Sequence, residues 1–294
     1  MSSPQPAILA PLPPHGVFLT LALAPAIDAR RVLERLSRFS LGDRDVLAIG
    51  APLVRALGAD LAALRPFPAL AGAGVAIPST QGAIYFHAGA DDPGAALLRG
   101  RALVAALEGS VRVQDDVIGF TYDAGRDLSG YEDGTENPKG DRAREVAIVA
   151  GAGEGLDGGS FVAAQRWVHD LSRLDALAPA ARDRLIGRSR ASNEELADAP
   201  ASAHVKRAAQ ESFEPPAFML RRSMPYGGVG EHGLFFVAYG ATFDPFERAL
   251  RRMVGLEDGV VDGLFGFSRP VTGGYYWCPP RGARGALDLR ALGA

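Results

Sequence analysis

The feature that most constrains the fold of this chain is a repeated pattern of a strand followed by a helix. Residues 15–38 read HGVFLTLALAPAIDARRVLERLSR, and residues 232–255 read HGLFFVAYGATFDPFERALRRMVG. Each segment begins with His-Gly and continues as an apolar run of strand length. After a short turn, apolar residues recur at helical spacing with arginines between them. Both segments therefore predict a strand and an amphipathic helix, and their likeness indicates an internal duplication.

Two further segments share this pattern. Residues 82–109 read GAIYFHAGADDPGAALLRGRALVAALEG, in which the acidic ADDP predicts a helix N-cap with proline in the first turn. Residues 160–187 predict a strand that ends near His169, with a helix after it. Repeated strand–helix units separated by glycine-rich turns are typical of an α+β fold with antiparallel sheets.

The spacing of these units predicts two ferredoxin-like halves of the βαββαβ type, with helices on one face of each sheet. We expect an N-terminal half at 1–140 and a C-terminal half at 141–294, with the junction in the glycine-rich stretch 121–160. Duplicated halves often enclose a ligand in the concave space between them, so the junction is the first place to look for a site.

Composition restricts the partners of the chain. Of its 294 residues, 47% are apolar and 22% charged, and the net charge is -3. This balance disfavours nucleic acid and an anionic membrane surface as partners, and no apolar run reaches the ~18 residues of a membrane span. The first sixteen residues lack the basic stretch of a signal peptide, and the single Cys278 excludes an internal disulfide. We therefore expect a cytoplasmic protein.

A short acidic and glycine-rich stretch, GYEDGTENP at 130–138, is a candidate for chemistry. Its core G-x-x-D-G occurs twice, at Gly130–Gly134 and at Gly255–Gly259. Either copy could be an ordinary Asp-Gly turn. The first copy lies at the junction of the halves and the second follows a late helix, which favours the first and its Asp133.

The five histidines differ in their surroundings. His15 and His232 precede strands at matching positions of the repeat, and His87 and His169 fall in strand-like runs, so structural roles explain all four. His204 lies in a polar, alanine-rich segment that breaks the repeat. It is therefore either an exposed side chain or a ligand.

A pair of arginines ends the apolar run FMLRRSMPYGG at 218–228, and Ser223 follows them. The pair could be an exposed basic strand end. Side chains alternate between the faces of a strand, however, so either Arg221 or Arg222 should point to the covered side. A buried arginine needs an anionic partner, which Asp133 or a bound anion could supply.

GYEDGTENP, the lone histidine and LRRSMPYG, in this order and spacing, resemble the dye-decolorizing peroxidase family, most closely its class B (P-type) branch. The later stretch GLFGFSRPVTGGYYWCPP, at 263–280, is similar to the last strand region of that family. The resemblance extends over nearly the whole chain. It implies a dimeric α+β barrel of two ferredoxin-like halves enclosing a b-type haem (iron protoporphyrin IX), which agrees with the repeat.

The resemblance also implies roles for individual residues. His204 matches the proximal ligand of the haem iron, Asp133 the distal aspartate and Arg221 the distal arginine. Ser223 falls where the family has asparagine or serine. Further expected haem-binding residues are Arg188 at a propionate, Asp262 as the acidic partner of His204, and Gly134, Thr135, Glu136 and Asn137 along the distal face. A second position that is frequently acidic in the family is Gly266 here.

The activity that the resemblance implies is a haem-dependent peroxidase. It would use hydrogen peroxide to oxidise aromatic donors such as dyes and phenolics through a ferryl intermediate, with Mn(II) as an alternative donor. The chain would be a homo-oligomer. Candidate side chains for carrying electrons, or simply for core packing, are Trp167, Trp277, Tyr275 and Tyr276.

Two other functions remain open. One is a haem- or porphyrin-handling protein without peroxidase turnover, and the other is an encapsulin cargo that docks through the tail GALDLRALGA at 285–294. The combination of Asp133, Arg221 and Ser223 favours the peroxidase, because storage needs only a ligand and an apolar pocket.

Overall fold

The repeated pattern folds as predicted. In the computed structural model, which describes residues 2–282 and 285–293, the two His-Gly segments each form a nine-residue strand and a ten-residue helix. The first elements of the chain are β1 (His15–Leu23), α1 (Ala29–Arg38), β2 (Asp45–Gly50), α2 (Ala51–Ala56), β3 (Leu70–Gly72), β4 (Val75–Ile77), β5 (Ile84–Ala90), α3 (Pro93–Ala106) and β6 (Val111–Phe120).

The second part of the chain repeats this order with more insertions. Its elements are α4 (Gly140–Ala147), β7 (Ser160–His169), α5 (Leu171–Asp175), α6 (Pro179–Ile186), α7 (His204–Arg207), β8 (Leu220–Arg221), β9 (Met224–Gly227), β10 (His232–Gly240), α8 (Asp244–Met253), β11 (Ser268–Pro270) and β12 (Gly274–Cys278). Short 3-10 helices occupy Pro6–Ile8, Gln210–Ser212, Gly263–Gly266 and Arg290–Leu292.

Helix capping follows the sequence. The Asp92 side chain accepts a hydrogen bond from the backbone N–H of Ala95, and Pro93 is the first helical residue of α3, as the ADDP stretch predicts. Asp28 caps α1 in the same way, through the N–H groups of Arg30 and Arg31. Each such cap stabilises its helix by about 1 kcal/mol.

The strand order confirms two ferredoxin-like halves. The first is β2-β5-β1-β6 and the second is β12-β7-β10-β9, all antiparallel. Numbered within each half, both orders are 4-1-3-2, the order of a βαββαβ unit. β12 pairs with β2 and β6 pairs with β9, which closes the two sheets into one barrel. The sheet runs without interruption through both halves, so the division at residue 140 stays a prediction.

β8 and β9 are one strand interrupted at residues 222–223. Arg221 pairs with Ala238 and Met224 pairs with Phe235, so both pieces keep the same register against β10. This register places Arg221 and Arg222 on opposite faces of the barrel wall.

Two apolar layers result from the alternation of side chains. The odd-numbered Val17, Leu19 and Leu21 of β1 pack outward against the helices, whereas Phe18 points into the barrel. The same alternation separates Leu47 and Ile49 of β2 from the inward Val46 and Ala48. The two sheets are joined edge to edge, so the inner layer fills the inside of the barrel. The helices pack on the outside of the barrel, over the outer layer.

Among residues 2–282 and 285–293, no helix is both long and apolar enough to cross a membrane.

Candidate functional site

A deep cavity lies between the outer face of the second half's sheet and its helices. Its empty volume, including the part open to solvent, is about 940 Å³. Leu234 and Phe236 of β10 form one wall, and Phe246, Leu250 and Met253 of α8 form another. The lining residues run from Asp127 to Ser268, so none comes from the sheet of the first half. The cavity is thus not a cleft between the two sheets, because these meet edge to edge and the wall of this cavity is the outer face of the second sheet.

His204 is the first residue of α7 and lines the cavity. Its Nδ1 is 2.8 Å from Oδ2 of Asp262, whose side chain is fully buried. Asp262 is fixed in turn because its Oδ1 accepts the backbone N–H of Leu264 at 2.8 Å. The carboxylate therefore holds the proton on Nδ1 and leaves Nε2 as the free nitrogen toward the cavity.

The same carboxylate sets the charge of the imidazole. Burial alone would lower the pKa of His204, but the charge of Asp262 and its hydrogen bond outweigh burial and raise that pKa above its ordinary value. The charges of Arg221 and Asp133 act on it in opposite directions, the arginine lowering the pKa and the aspartate raising it.

Arg221 is the last residue of β8 and reaches the same cavity. Its Nε is buried and has no hydrogen-bond partner among the described residues. The backbone of Arg221 is held at two points by one side chain, since Asn137 Oδ1 accepts its N–H and Asn137 Nδ2 donates to its carbonyl, both at 2.9 Å. These two hydrogen bonds hold the backbone of Arg221 in place, and its guanidinium stays available for a ligand.

Asp133 completes this part of the wall, in the loop GYEDGTENP. Gly130 and Gly134 have φ of 87° and 72°, which glycine adopts without strain. The second copy of G-x-x-D-G also has positive φ at both glycines, 77° at Gly255 and 76° at Gly259. The two glycines therefore have the same kind of φ in both copies, and the surroundings of each copy decide what its aspartate does.

The two aspartates of these turns have different partners. Asp258, in the second copy, forms a two-point ion pair with the buried Arg207, with both N–O distances at 2.7 Å. This pair and the hydrogen bond that Asp258 accepts from the N–H of Val260 lower the pKa of Asp258 to about 2. Asp133 instead lines the cavity that contains His204 and Arg221. The first copy is thus the one that reaches the candidate site.

The structure does not bring every predicted residue to the cavity. The main lining reaches Glu132 and Asp133 but not the next four residues, Gly134, Thr135, Glu136 and Asn137. Arg188 is also outside the lining: its guanidinium donates to Glu136 at 2.8 Å and to the carbonyl of Asn193 at 3.0 Å.

These residues bind the loop to the segment that follows α6. Besides the pair of Arg188 and Glu136, Asn193 Nδ2 donates to Glu132 at 2.7 Å and approaches the Thr135 hydroxyl at 3.4 Å. The contacts hold the loop that presents Asp133.

Ser223 lies beside the main cavity rather than in it. It borders an adjoining pocket of about 470 Å³, which shares Asp133, Arg221 and Leu234 with the main cavity. Ser223 is buried, and its hydroxyl accepts the N–H of Val237 at 3.4 Å. This hydrogen bond connects the interruption between β8 and β9 to the neighbouring strand β10, two residues after Arg221.

A buried polar group in the cavity wall was missed from the sequence. His169 bonds through Nδ1 to the Ser268 hydroxyl at 2.7 Å and through Nε2 to Asp127 at 3.1 Å. Burial alone would raise the pKa of Asp127, but the hydrogen bond and charge of His169 outweigh it and hold that pKa below its ordinary value. The alternation of side chains in β7 could have indicated this, because Gln165, Trp167 and His169 lie on the same face of the strand and all line the cavity.

The four aromatic candidates have different places. Trp167 is in the cavity wall, and its ring centre lies 5.5 Å from that of the half-buried Phe265. Tyr275 lies behind the wall, 5.9 Å from Phe246. Tyr276 packs inside the barrel, and Trp277 is fully buried in the outer layer without lining the cavity.

The arrangement combines three functions in one apolar space. His204 offers a metal-ligating nitrogen, Asp133 can accept or donate a proton, and Arg221 supplies a fixed positive charge. Such a cavity suits a large, flat apolar cofactor with a metal at its centre and an oxygen ligand that gains negative charge.

Known proteins are similar to this chain in sequence and in fold. Residues 5–121 match the family described as Dyp-type peroxidase, N-terminal, and residues 124–283 match Dyp-type peroxidase, C-terminal. The chain is 33% identical to the dye-decolorizing peroxidase of Mycobacterium tuberculosis, over 94% of this chain and 88% of that protein.

Solved structures agree. DyPB from Rhodococcus jostii RHA1 has a TM-score of 0.85 and 32% identity, with 94% of this chain and 96% of that chain covered. A putative Dyp-type peroxidase of Shewanella oneidensis has a TM-score of 0.88 and 27% identity, with 99% and 98% covered. Several similar structures are variants of the Rhodococcus jostii protein in complex with heme.

Proposed function

Because the chain belongs to the Dyp-type peroxidase family, and is a haem-dependent peroxidase, we propose roles for the residues of its cavity. The observation that carries the proposal is a histidine bonded to a buried carboxylate in the same cavity as an aspartate and an unpaired arginine.

The donor set fits haem. His204 would be the ligand of the iron through Nε2, and the apolar side chains of β10 and α8 would contact the porphyrin. Asp262, by accepting the proton of Nδ1, would make the imidazole a stronger electron donor. Haem b, when bound, supplies the reduction of peroxide and the one-electron oxidation of donors.

Asp133 and Arg221 would act on peroxide. The carboxylate of Asp133 would take a proton from one peroxide oxygen and return it to the other. The guanidinium of Arg221 would stabilise the negative charge that develops as the O–O bond breaks. The adjoining pocket, which both residues line together with Ser223, is a path for peroxide into the cavity.

We propose aromatic compounds as the reducing substrates. Trp167 is the first candidate for electron exit, because it lies in the cavity wall and contacts the half-buried Phe265. Tyr275 offers a second route through Phe246. Mn(II) is an alternative donor, since one similar structure is a DypB variant in complex with manganese.

The tail at 285–294 does not favour the role of an encapsulin cargo. Its last residue lies outside the described part of the chain, but Leu287, Leu289 and Leu292 are buried in the outer apolar layer. A docking peptide would have to leave that layer. Homo-oligomeric assembly and a cytoplasmic location stay predictions of the sequence.

The proposal is tested by the reaction of the haem-loaded protein with stoichiometric peroxide, followed by stopped-flow absorbance. Replacing Arg221 with alanine should slow this reaction by about 10²–10³-fold, the usual effect of removing one stabiliser of developing charge. Arg142→Ala is the matched control, because Arg142 is an exposed arginine of α4 that pairs with Glu145 and lines neither the main cavity nor the adjoining pocket. An Arg221 variant that reacts at the wild-type rate would refute the role of Arg221.

A further inference from the structure

A second cavity opens at the mouth of the barrel, away from the haem cavity. Its empty volume, including the part open to solvent, is about 760 Å³. The proline-rich arm at residues 11–14 forms one side, and Phe18 and Val237 form the other. The two cavities have no lining residue in common. This space therefore needs an explanation that does not involve haem.

Arg222 is the main polar group of this second cavity. It points into the barrel because it pairs with Val237 on the face opposite to Arg221. Its guanidinium has only two long contacts to backbone carbonyls, 3.3 Å to Arg221 and 3.2 Å to Leu9, and its Nε is buried without a partner. Within the described part of the chain no carboxylate lies within 4.0 Å of it. The arginine is thus a half-buried cation without a counter-ion, which is costly unless an anion binds.

His87 is a second polar group with an unused atom. Only 8% of its surface is exposed, and its Nδ1 is buried without a hydrogen-bond partner among the described residues. Burial lowers the pKa of His87 to about 4, so the imidazole is neutral at pH 7. Its Cε1–Nδ1 edge packs against Gly16 of β1, so His87 contributes an uncharged part of the wall. Of the described residues that line the cavity, none is acidic, and Arg44 at the rim is already paired with Asp91 outside it, which leaves Arg222 as the cation without a partner.

The remaining surface is apolar and aromatic. The ring of Phe18 is stacked between His87 and Phe235, with centres 4.5 and 4.3 Å away, so it presents its edge to the cavity. Tyr239, Leu12 and Val237 complete the wall. A mostly apolar cavity with a few convergent polar groups is typical of a small-molecule site. The charge of Arg222 favours an anion, and the apolar wall favours an apolar ring next to that anion.

We propose that this barrel-mouth cavity binds a small aromatic carboxylate, with the carboxylate on Arg222 and the ring against the wall of Leu12, Val237 and Tyr239. No residue that lines the main haem cavity takes part, although Arg222 and Leu12 also border the adjoining pocket beside Arg221.

Binding of benzoate to the haem-loaded protein, measured by isothermal titration calorimetry, tests this site. Benzamide, which has the same shape without the charge, should bind at least about 10-fold more weakly, because a charge-assisted hydrogen bond to arginine is lost. This comparison needs no variant. Acetate, which has the charge without the ring, should also bind more weakly than benzoate. The Soret band should not move.

Two variants locate the site. Arg222→Gln should weaken the binding of benzoate by about 10- to 100-fold. Arg44→Gln, at the rim and already paired with Asp91 at 2.7 Å, should change it less than 3-fold. Equal binding of benzoate and benzamide, equal binding of benzoate and acetate, equal effects of both variants, or a benzoate-induced Soret shift would each overturn the proposal.

Discussion

Replacing Asp262 with asparagine should remove the proton that this residue holds on His204. Asp262 now accepts two hydrogen bonds, from Nδ1 of His204 and from the N–H of Leu264, both at 2.8 Å. Asparagine has one acceptor oxygen and one amide donor in the same places. It cannot serve both partners without a change in one of them.

Two arrangements of the asparagine are possible. If its oxygen accepts from Leu264, its amide faces Nδ1 of His204, which must become the acceptor, and the imidazole proton moves to Nε2 toward the cavity. That nitrogen can then no longer ligate a metal. If the amide turns instead, the N–H of Leu264 loses its acceptor at a cost of about 1–3 kcal/mol.

The magnitude follows from the position of Asp262 behind the ligand. Loss of such a partner typically weakens a metal site by about 10- to 100-fold, and we expect this loss in the affinity of the apoprotein for haem at pH 8. The pH dependence should change as well. Protonated His204 cannot ligate iron, and Asp262 raises the pKa of His204 above its ordinary value of 6.5. When the pH is lowered from 8, the haem affinity of the wild type should therefore start to decrease before pH 6.5 is reached. In the variant this loss should move to lower pH.

The assay is titration of apoprotein with haem, followed at the Soret band from pH 5 to 8. Asp45→Asn is the matched control, because Asp45 is a buried aspartate of the first half that pairs with Arg99 and does not contact His204. Equal haem affinity in Asp262→Asn and wild type, with an unchanged pH profile, would refute the role of the pair.

Three further changes test other parts of the structure. Asn137→Ala removes the clamp on the Arg221 backbone, so peroxide turnover should fall about 10-fold or more while haem affinity stays within 2-fold; a parallel loss of both would contradict a positioning role. Burial lowers the pKa of His87 from 6.5 to about 4, so the unfolded chain takes up a proton there that the folded protein does not. The free energy of unfolding should drop by up to about 3 kcal/mol as the pH falls from 6.5 to 4, and His87→Asn should flatten that slope in urea melts. Leu289→Ala should cost about 2–5 kcal/mol of stability, whereas a free docking tail would show almost no loss.

The sequence by itself determined the fold class. The duplicated His-Gly segments fixed where strands and helices form, because the apolar period of two or 3.6 residues is a local property of the chain. The resemblance in GYEDGTENP, His204 and LRRSMPYG identified the family. Even Asp262, chosen from the sequence as the partner of His204, is hydrogen-bonded to it in the structure.

The tertiary structure decided which faces and which partners these residues have. The two G-x-x-D-G copies share positive φ at both glycines, but residues distant in sequence place Asp258 against Arg207 and Asp133 in the cavity wall. Arg221 and Arg222 are adjacent in the chain and both border the adjoining pocket, yet only Arg221 lines the haem cavity and only Arg222 lines the barrel-mouth cavity. The sequence predicts a structural histidine at position 169, and only the pairing of β7 with β10 shows that His169 lines the cavity. Such outcomes depend on contacts between residues far apart in sequence, which no local pattern encodes.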